Sequence, residues 1–371
     1  MNKKIMLLSN TSWYLFNFRD TTIKKLILDG YEPICVAPED EYSRQLVELG
    51  ATFVPLDIEG KSTNVLSELK ALYHVFSIIK SQNPDCVLNF TIKLNIYSGL
   101  SCLILNVPFI NNISGLGTAF IHKGFSFKVA KLLYGIVNRN ASWVFFQNDD
   151  DRKQFLDNSF CSESNSSILP GSGVDLEKFC YSPKYQDSKE MKFLMISRLI
   201  SDKGVNEYVS SAKDLKLNNP HLDFTLVGEL YPSNKSAIPR NIVESWLDDP
   251  NITVMPHSNN INQLICDADV IVLPSYREGL PRTIIEAASV GRPAIVTDVP
   301  GCRQAVINNE TGWYCDAKSA ESLKEKILMV SKLSHEKISE FGKNARLNVE
   351  ENFSVDIVVS EYMDKIVKHL K

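Results

Sequence analysis

The chain has 371 residues, of which 44% are apolar and 23% are charged, and its formal net charge at pH 7 is -4. It is longer than the size at which a single hydrophobic core keeps growing, so two domains are expected. The slightly acidic balance gives no support to a nucleic-acid-binding function.

The N-terminal half of the chain alternates short apolar segments with longer amphipathic ones. This alternation is typical of a parallel sheet that is covered by helices on both faces. The predicted strands are Lys4–Leu8, Glu32–Ala37, Cys86–Asn89, 109–111 and 143–147, and helices are predicted through 21–28 and 42–49.

Three consecutive carboxylates, Asp149, Asp150 and Asp151, follow the last of these strands. Consecutive acids can hold Mg²⁺ or Mn²⁺. Asn148 is a predicted helix cap, however, and negative charge in the first turn of a helix offsets the helix dipole without any ligand. The eight cysteines show no CxxC pair or other metal-ligand spacing, which is typical of a reducing cytoplasm. The sequence therefore predicts no metal site.

No apolar run in the sequence reaches the about 20 residues that are needed to span a bilayer. The segment 98–110 comes closest, and it contains Asn106 and Pro108. Residues 1–10 are predicted to form a short strand rather than a signal peptide. We expect a protein that lies in the cytoplasm, either soluble or peripheral on a membrane.

The polar stretch 181–190 is a predicted linker, and a second alternating set of segments begins at Lys192. Its further strands are predicted at 223–227, 252–255, Val270–Leu273 and Ala294–Thr297. The final segment, from Ser354 onward, is amphipathic. Two similar halves imply two domains with a cleft between them.

A loop that follows the first strand of the second set carries two basic side chains. Arg198 and Lys203 lie between the strand-like segment 193–197 and the next predicted helix. Arginine offers a planar fork and lysine a compact point charge, and ligands of open α/β sheets bind at strand ends. Both residues therefore suit phosphate oxygens, although a solvated surface cation is the commoner role of either residue type.

Two carboxylates lie eight residues apart where a later buried strand turns into a helix. Glu278 precedes this helix and Glu286 lies inside it. Pro281 suits the first helical position, because its missing N–H costs nothing there. The first-turn N–H groups of Arg282 and Thr283, with the positive end of the dipole, form a ready anion site. The pattern predicts a site for a sugar nucleotide, with the diphosphate at the helix and the carboxylates at its two ends.

Together these two groups of residues resemble the retaining glycosyltransferases of family 4, which have the two-domain GT-B fold and need no metal. The resemblance implies that the basic pair neutralises the diphosphate of a UDP-sugar, which is a co-substrate rather than a cofactor. It also implies that Glu286 holds the ribose hydroxyls, while Glu278 and the amides after it hold the transferred sugar. The implied donor-binding residues are Arg198, Lys203, Glu278, Gly279, Leu280, Arg282, Thr283 and Glu286, and the implied catalytic residues are Arg198, Lys203 and Glu278.

The resemblance runs nearly from end to end of the chain. It includes the segments 10–19, 93–97, 113–117, 173–175 and 297–301. These are similar to the branch that builds capsule, O-antigen and protein-linked glycans on undecaprenyl diphosphate, including enzymes that add N-acetylgalactosamine to lipid-linked bacillosamine. The implied fold is α/β, with two Rossmann-like doubly wound domains facing a cleft. The implied domains are an acceptor-binding domain at 1–182, a donor-binding domain at 183–353 and a helix at 354–371 that packs back on the first.

The acceptor side of the reaction is predicted from fewer residues. Lys93 is a candidate for binding the acceptor's diphosphate, although a solvated lysine is an equal alternative. Gly115 and Gly117 form a short glycine loop that suits either a turn or a phosphate contact, and His122 stands in the loop after it.

The segment 120–131 combines basic and apolar residues. This combination suits a helix that lies on a membrane surface, although any helix on a doubly wound sheet also has an apolar face. The predicted partners are a UDP-sugar donor, a polyprenyl-diphosphate-linked glycan acceptor and the inner face of the cytoplasmic membrane, and no nucleic acid.

Many members of the family carry a histidine after the fourth strand, whereas this chain has Asn-Phe-Thr-Ile-Lys at 89–93, so no imidazole base is carried over. The departing diphosphate can instead accept the proton of the acceptor hydroxyl. Two alternatives stay open: a sugar-nucleotide epimerase or hydrolase on the same scaffold, and a non-catalytic subunit that binds a sugar nucleotide. A dinucleotide dehydrogenase is disfavoured, because no GxGxxG follows the first strand.

Overall fold

The computed structural model describes residues 2–58, 65–115, 125–184, 190–232, 234–258 and 260–370, without the side chains of 65 and 125–128. The chain divides into two compact units: Met1–Ser172 with Asp356–Lys371, and Gly173–Val355. We call these unit 1 and unit 2. The domain boundaries at residues 182 and 353 divide the chain by binding role, and they stay predictions.

Unit 1 is built on a seven-stranded parallel sheet in the order β3-β2-β1-β4-β5-β6-β7. The order reverses between the neighbours β1 and β4, whose register pairs Leu8 with Asn89. The loops after these two strands therefore lie side by side at the carboxyl edge of the sheet. The strands are β1 (Lys4–Leu8), β2 (Glu32–Ala37), β3 (Thr52–Pro55), β4 (Cys86–Asn89), β5 (Phe109–Ile113), β6 (Trp143–Phe146) and β7 (Ser166–Ile168).

Helices join the successive strands of unit 1, as parallel pairing requires. The first of them begins after Thr11, whose side chain accepts a hydrogen bond from the backbone N–H of Tyr14. Buried strand residues such as Leu8 and Val87 share one core with helix residues such as Val75. The helices are α1 (Ser12–Leu28), α2 (Ser43–Glu48), α3 (Val65–Gln82), α4 (Ile92–Leu105), α5 (Phe125–Arg139) and α6 (Asp149–Asp157).

The last helix of the chain, α14 (Val355–His369), belongs to unit 1 apart from its first residue. Tyr362 on this helix is fully buried and donates a hydrogen bond to Oδ1 of Asn112, at 2.5 Å. Its ring packs edge-on against the rings of Phe90 and Phe145, at centroid distances of 6.1 and 5.3 Å. The end of the chain is therefore part of the core of unit 1.

Unit 2 repeats the architecture with a six-stranded parallel sheet in the order β10-β9-β8-β11-β12-β13. Here the strand order reverses between β8 and β11. The strands are β8 (Met191–Ile196), β9 (Leu222–Val227), β10 (Thr253–Met255), β11 (Val270–Leu273), β12 (Ala294–Thr297) and β13 (Gly312–Cys315). The helices are α7 (Val205–Asn218), α8 (Arg240–Leu247), α9 (Ile261–Asp267), α10 (Arg282–Val290), α11 (Cys302–Ala305), α12 (Ala320–Ser331) and α13 (His335–Asn352).

The predicted fold class, with two doubly wound parallel sheets, is confirmed. Three strands were not predicted, and all three lie at the edge of a sheet: β3, β7 and β13. Thr52–Pro55 and Ser166–Ile168 are short and half exposed, and Gly312–Cys315 begins with a glycine. The first two are covered on fewer sides than a central parallel strand, so they lack its continuous apolar run.

Candidate functional site

Two loops of unit 2 meet where the order of its strands reverses. β8 and β11 are parallel neighbours, with Phe193 opposite Val270. The loop after β8 carries Arg198 and Lys203, and the loop after β11 carries Glu278. Ligands of open parallel sheets bind outside the carboxyl ends of the strands at such a reversal. The fold thus brings together two sequence motifs that are separated by 75 residues.

The close approach of these loops depends on Gly204, which ends the turn that carries Lys203. Its backbone has φ +73°, in the left-handed region that favours glycine. A Cβ atom at this position would lie 2.0 Å from the carbonyl oxygen of Pro274, in the loop after β11. No larger residue fits without moving one loop away from the other, so Gly204 sets the spacing of the site.

Lys203 and Glu278 form a direct ion pair across the two loops. Nζ of Lys203 donates a hydrogen bond to Oε1 of Glu278 at 2.5 Å, and the two side chains are 19% and 10% exposed. Water screens such a pair poorly, so the attraction is stronger than in a surface salt bridge. Each side chain thus neutralises the other in this structure.

The loop that carries Glu278 is held by backbone contacts on both sides. The N–H of Tyr276 and the hydroxyl of Ser275 both donate to the carbonyl oxygen of Asp202, at 2.9 and 3.1 Å. On the other side, the N–H of Glu278 donates to the carbonyl oxygen of Pro300 at 3.2 Å. Gly301 has φ +84°, and a Cβ atom there would lie 2.6 Å from the carbonyl oxygen of Glu278. The segment 297–301 therefore shapes the site from a third strand end.

Helix α10 begins at Arg282, so Pro281 occupies the N-cap position rather than the first helical position that the sequence suggested. Glu286 lies one turn into the helix and is 8% exposed. Nε of Arg282 donates to its Oε1 at 2.6 Å. Burial raises the pKa of Glu286, and the charges of Arg282 and Lys178 oppose that shift. Arg282 therefore helps this buried carboxylate to stay ionised.

Sequence reasoning missed one polar contact beneath the site. The hydroxyl of Tyr276 donates to Oε1 of Glu207 on α7 at 2.6 Å, and Nζ of Lys318 lies 5.1 Å from the centroid of the Tyr276 ring. Burial and the adjacent carboxylate raise the pKa of Tyr276. The contact ties the Glu278 loop to α7. Only the proximity of Tyr276 to Glu278 in the chain could have indicated it.

Arg198 stands apart from the two ion pairs. It is exposed, and its guanidinium lies 5.1 Å from the centroid of the Tyr231 ring. A cation that is not fully committed to a carboxylate can turn toward an incoming anion. The site thus offers two basic side chains after β8, two carboxylates in separate ion pairs and a helix N-terminus. The individual roles of these residues stay predictions.

The predicted acceptor residues have different environments within unit 1. Nζ of Lys93 forms an ion pair with Oε1 of Glu68 on α3 at 2.7 Å. Gly115 has φ +134°, and a Cβ atom there would have no neighbour within 4 Å among the described residues. Gly117 and His122 lie outside the described residues. The structure thus describes only Lys93 and Gly115 of these four residues, and their roles in acceptor binding stay predictions.

The three consecutive acids form the first turn of α6. The side chain of Asn148 accepts a hydrogen bond from the N–H of Asp151 at 2.8 Å, so the predicted cap is confirmed. Across the described parts of the chain, no group of three or more His, Cys, Asp or Glu side chains could hold a metal ion.

Helix α5 exposes part of its apolar face. Val129, Leu132 and Ile136 are 39%, 63% and 42% exposed, at helical spacings of three and four residues. Arg139, at the end of the helix, donates from Nε and Nη2 to the carbonyl oxygen of Ser159. The first part of the predicted membrane segment 120–131 lies outside the described residues. Within the described ranges, none of the helices is both long and apolar enough to cross a bilayer.

Two family models match the chain, one in each half. Residues 4–148 match the model described as glycosyl transferase 4-like, and residues 182–348 match glycosyl transferases group 1. A relative from Campylobacter jejuni, N,N'-diacetylbacillosaminyl-diphospho-undecaprenol alpha-1,3-N-acetylgalactosaminyltransferase, is 27% identical over 99% of this chain and 100% of its own. The Escherichia coli UDP-Gal:alpha-D-GlcNAc-diphosphoundecaprenol alpha-1,3-galactosyltransferase is 23% identical over 83% of this chain and 82% of its own.

A solved structure resembles the whole chain. The Anabaena protein Alr3699/HepE, in complex with UDP and glucose, has a TM-score of 0.79 and 15% identity, with 99% of this chain and 100% of that chain covered. At this identity the likeness concerns the fold. It agrees with the two doubly wound units of this chain.

Proposed function

We propose that this chain, which belongs to the glycosyltransferases, transfers a sugar from a UDP-sugar to a polyprenyl-diphosphate-linked saccharide. One half of the chain matches the 4-like model and the other half matches the group 1 model. The proposed sugar is an N-acetylhexosamine such as N-acetylgalactosamine, and its anomeric configuration is retained. The observation that carries the proposal is the pairing of Lys203 with Glu278 and of Arg282 with Glu286, near the point where the strand order of unit 2 reverses. The near full-length similarity to the Campylobacter transferase supports the choice of substrates.

The proposed donor site divides the ligand among three groups. Arg198, Lys203 and the N-terminus of α10 bind the diphosphate, because they supply positive charge at one edge of the sheet. Glu286 accepts hydrogen bonds from the ribose hydroxyls. Glu278 and the amides of Gly279 and Leu280 bind the hydroxyls of the transferred sugar.

Binding of the donor would rearrange the ion pair between Lys203 and Glu278. The diphosphate competes with Glu278 for the ammonium group, and the sugar hydroxyls then donate to the carboxylate. A carboxylate near the anomeric carbon also stabilises the positive charge that develops there in the transition state. The pair thus keeps both groups neutralised until the donor separates them.

In the proposed transfer, the bond between the anomeric carbon and the diphosphate oxygen breaks, and the acceptor hydroxyl oxygen forms the new bond on the same face of the sugar. The acceptor's proton goes to the departing diphosphate, so no side-chain base is required. Arg198, Lys203 and the amides of α10 stabilise the negative charge of that leaving group.

A panel of UDP-sugars, offered to purified enzyme with a lipid-linked acceptor pool, tests the proposal through UDP release and through the glycan product. We expect UDP release that depends on both substrates, greatest with one UDP-N-acetylhexosamine, and a product with the anomeric configuration of the donor. Release of UDP without acceptor would indicate a hydrolase, and isomerisation of the donor would indicate an epimerase. Donor binding without turnover would indicate a non-catalytic subunit.

Activity should survive EDTA, because side chains and helix amides supply the positive charge. A complete loss that Mn²⁺ or Mg²⁺ restores would contradict metal independence.

We also propose that the exposed face of α5 rests on the cytoplasmic face of the membrane, where a polyprenyl-linked acceptor is anchored. Leu132 is the most exposed of the three exposed apolar side chains on this face. Partial burial in the membrane interface would remove the apolar surface of Leu132 from water. Leu132→Glu should therefore reduce co-flotation with anionic lipid vesicles. Leu217→Glu, at an exposed leucine of α7 in unit 2, is the matched control. Equal flotation of both variants and the wild type would contradict this location.

A further inference from the structure

The segment 10–19 resembles the glycan-building branch, yet the donor site uses none of its residues. It ends at Arg19, two turns into α1, and this side chain is only 1% exposed. A guanidinium stays protonated inside proteins, so unit 1 contains a buried positive charge. Burying a charge opposes folding unless the charge is paired and hydrogen-bonded.

The immediate surroundings of Arg19 compensate its charge only in part. Its Nη2 donates to the hydroxyl of Tyr14 at 3.0 Å, whereas Nε and Nη1 have no hydrogen-bond partner among the described residues. Its guanidinium carbon lies 4.6 Å from the ring centroid of Phe90 and 5.4 Å from that of Tyr362. Aromatic faces attract a cation, but they accept no strong hydrogen bond from its N–H groups.

Arg19 lies at a place in the fold where a ligand could accept from the two N–H groups that have no partner among the described residues. Phe90 directly follows β4, and its N–H donates to the carbonyl oxygen of Leu8, at the end of β1. Arg19 therefore lies beside the point where the strand order of unit 1 reverses. This is the counterpart of the point in unit 2 that carries Lys203 and Glu278, and ligands of open parallel sheets bind there.

Other polar atoms at the same two strand ends are also buried, with no hydrogen-bond partner in the described part of the chain. They are Oγ of Ser9, directly after β1, Oδ1 of Asn89, the last residue of β4, and Oγ1 of Thr91, which precedes α4. Buried polar atoms in native proteins are nearly always paired, so each unpaired atom needs an explanation. Hydroxyl and amide atoms at the strand ends near which a guanidinium is buried are suited to a ligand that combines anionic oxygens with hydroxyl groups.

We propose that Arg19 binds the diphosphate of the lipid-linked acceptor, where the strand order of unit 1 reverses, with Nε and Nη1 donating to the anionic oxygens. The planar fork of a guanidinium matches two oxygens of such a group, and charge-assisted bonds of this type are stronger than neutral ones. The acceptor then supplies the counter-charge that the described surroundings of Arg19 do not provide. This inference rests on the proposed function, because it names the acceptor's diphosphate as the ligand.

The test replaces Arg19 with methionine, which keeps an apolar side chain of similar length and removes the charge. Without ligand, Arg19→Met should unfold at the same temperature as the wild type or higher, because an apolar group replaces a buried cation that has no carboxylate partner among the described residues. Geranyl diphosphate should bind to it at least about tenfold more weakly in calorimetric titrations, the effect expected for lost charge-assisted hydrogen bonds. Unchanged affinity for geranyl diphosphate would overturn the proposal.

UDP provides the second arm of this test. Arg19→Met should bind UDP as the wild type does, because the proposed nucleotide site lies in unit 2. A loss of UDP affinity with intact geranyl diphosphate binding would instead assign Arg19 to the donor's diphosphate and overturn the acceptor assignment. A wild-type protein that binds no UDP would contradict the proposed function itself. Arg44→Met is the matched control. Arg44 lies on α2 and forms an ion pair there, and its side chain is 88% exposed.

If Arg19→Met does not fold, the wild-type protein still decides the question. Geranyl diphosphate should slow hydrogen exchange in α1, because a ligand on Arg19 opposes local opening of that helix. Geraniol, which lacks the anion, should not slow it. Equal exchange with both compounds would contradict an anion site at Arg19.

Discussion

Replacing Lys203 with methionine is expected to lower kcat/KM for the donor by about a hundredfold or more, because charge stabilisation of a leaving group commonly contributes several kcal/mol. Arg198→Ala should have an effect of the same order, and both variants should bind the donor more weakly. Steady-state kinetics with the preferred UDP-sugar measure both effects. Near-normal turnover in both variants would mean that the diphosphate lies elsewhere.

The ion pair makes a second control necessary for Lys203. Its removal leaves Glu278, which is 10% exposed, without its cation, and an unpaired carboxylate in such a place destabilises the loop. The double variant Lys203→Met/Glu278→Gln removes both charges. We expect it to regain thermal stability while activity stays low. Lys213→Met is the matched control. Lys213 lies on α7 and forms an ion pair with Asp249, in another part of unit 2.

Glu286→Gln is expected to weaken the binding of UDP and of UDP-sugar alike, by about tenfold or more, because hydrogen bonds to a charged acceptor contribute about 1.5–3 kcal/mol. The amide that replaces the carboxylate keeps the shape and loses the charge that both ribose hydroxyls need. Calorimetric titration with UDP measures the change. Glu244→Gln, on α8, is the matched control, since the side chain of Glu244 is 60% exposed.

Glu278→Gln is expected to lower turnover without weakening the binding of UDP. UDP lacks the transferred sugar, so its affinity should stay the same or rise, because Lys203 loses its competing carboxylate. Turnover with the preferred donor should fall, since the charge that develops near the anomeric carbon is no longer stabilised. An equal loss of UDP affinity in Glu278→Gln and Glu286→Gln would show that the ligand has been divided wrongly between the two.

The environment of Glu286 also predicts a dependence on pH. Burial raises the pKa of this carboxyl group, against the opposing effect of Arg282. An acid with a raised pKa takes up its proton at a higher pH than usual, so UDP affinity should decline as the pH falls from neutrality toward the usual carboxyl range. Glu286→Gln should lack this part of the decline. A pH profile that is identical in both proteins would contradict the role of Glu286.

Much of the fold and the residues of the candidate donor site could be predicted from the sequence, because the features concerned are local, whereas the binding roles of these residues stay predictions. The central strands are continuous apolar runs, so segments such as Val270–Leu273 were found. The eight-residue spacing of Glu278 and Glu286 spans a strand-to-helix turn, and the structure places Glu278 before α10 and Glu286 inside it. The edge strands β3 and β7 were missed because their pattern depends on which faces the rest of the sheet covers.

The sequence by itself determined the α/β class and the central strands of both sheets, and it predicted the residues of the candidate donor site. It could do so because periodicity, turn residues and helix caps act over a few neighbouring positions. It also indicated that the segment 10–19 belongs to the family pattern, but not that Arg19 is buried.

Only the tertiary structure decided which of these residues are partners. The ion pair of Lys203 with Glu278 and the position of Gly204 against Pro274 depend on β8 and β11 being neighbours. The burial of Arg19 among Tyr14, Phe90 and Tyr362 depends on segments from both ends of unit 1. Strand order and long-range packing are properties of the whole chain, and burial is what turns a common surface arginine into a charge that needs a partner.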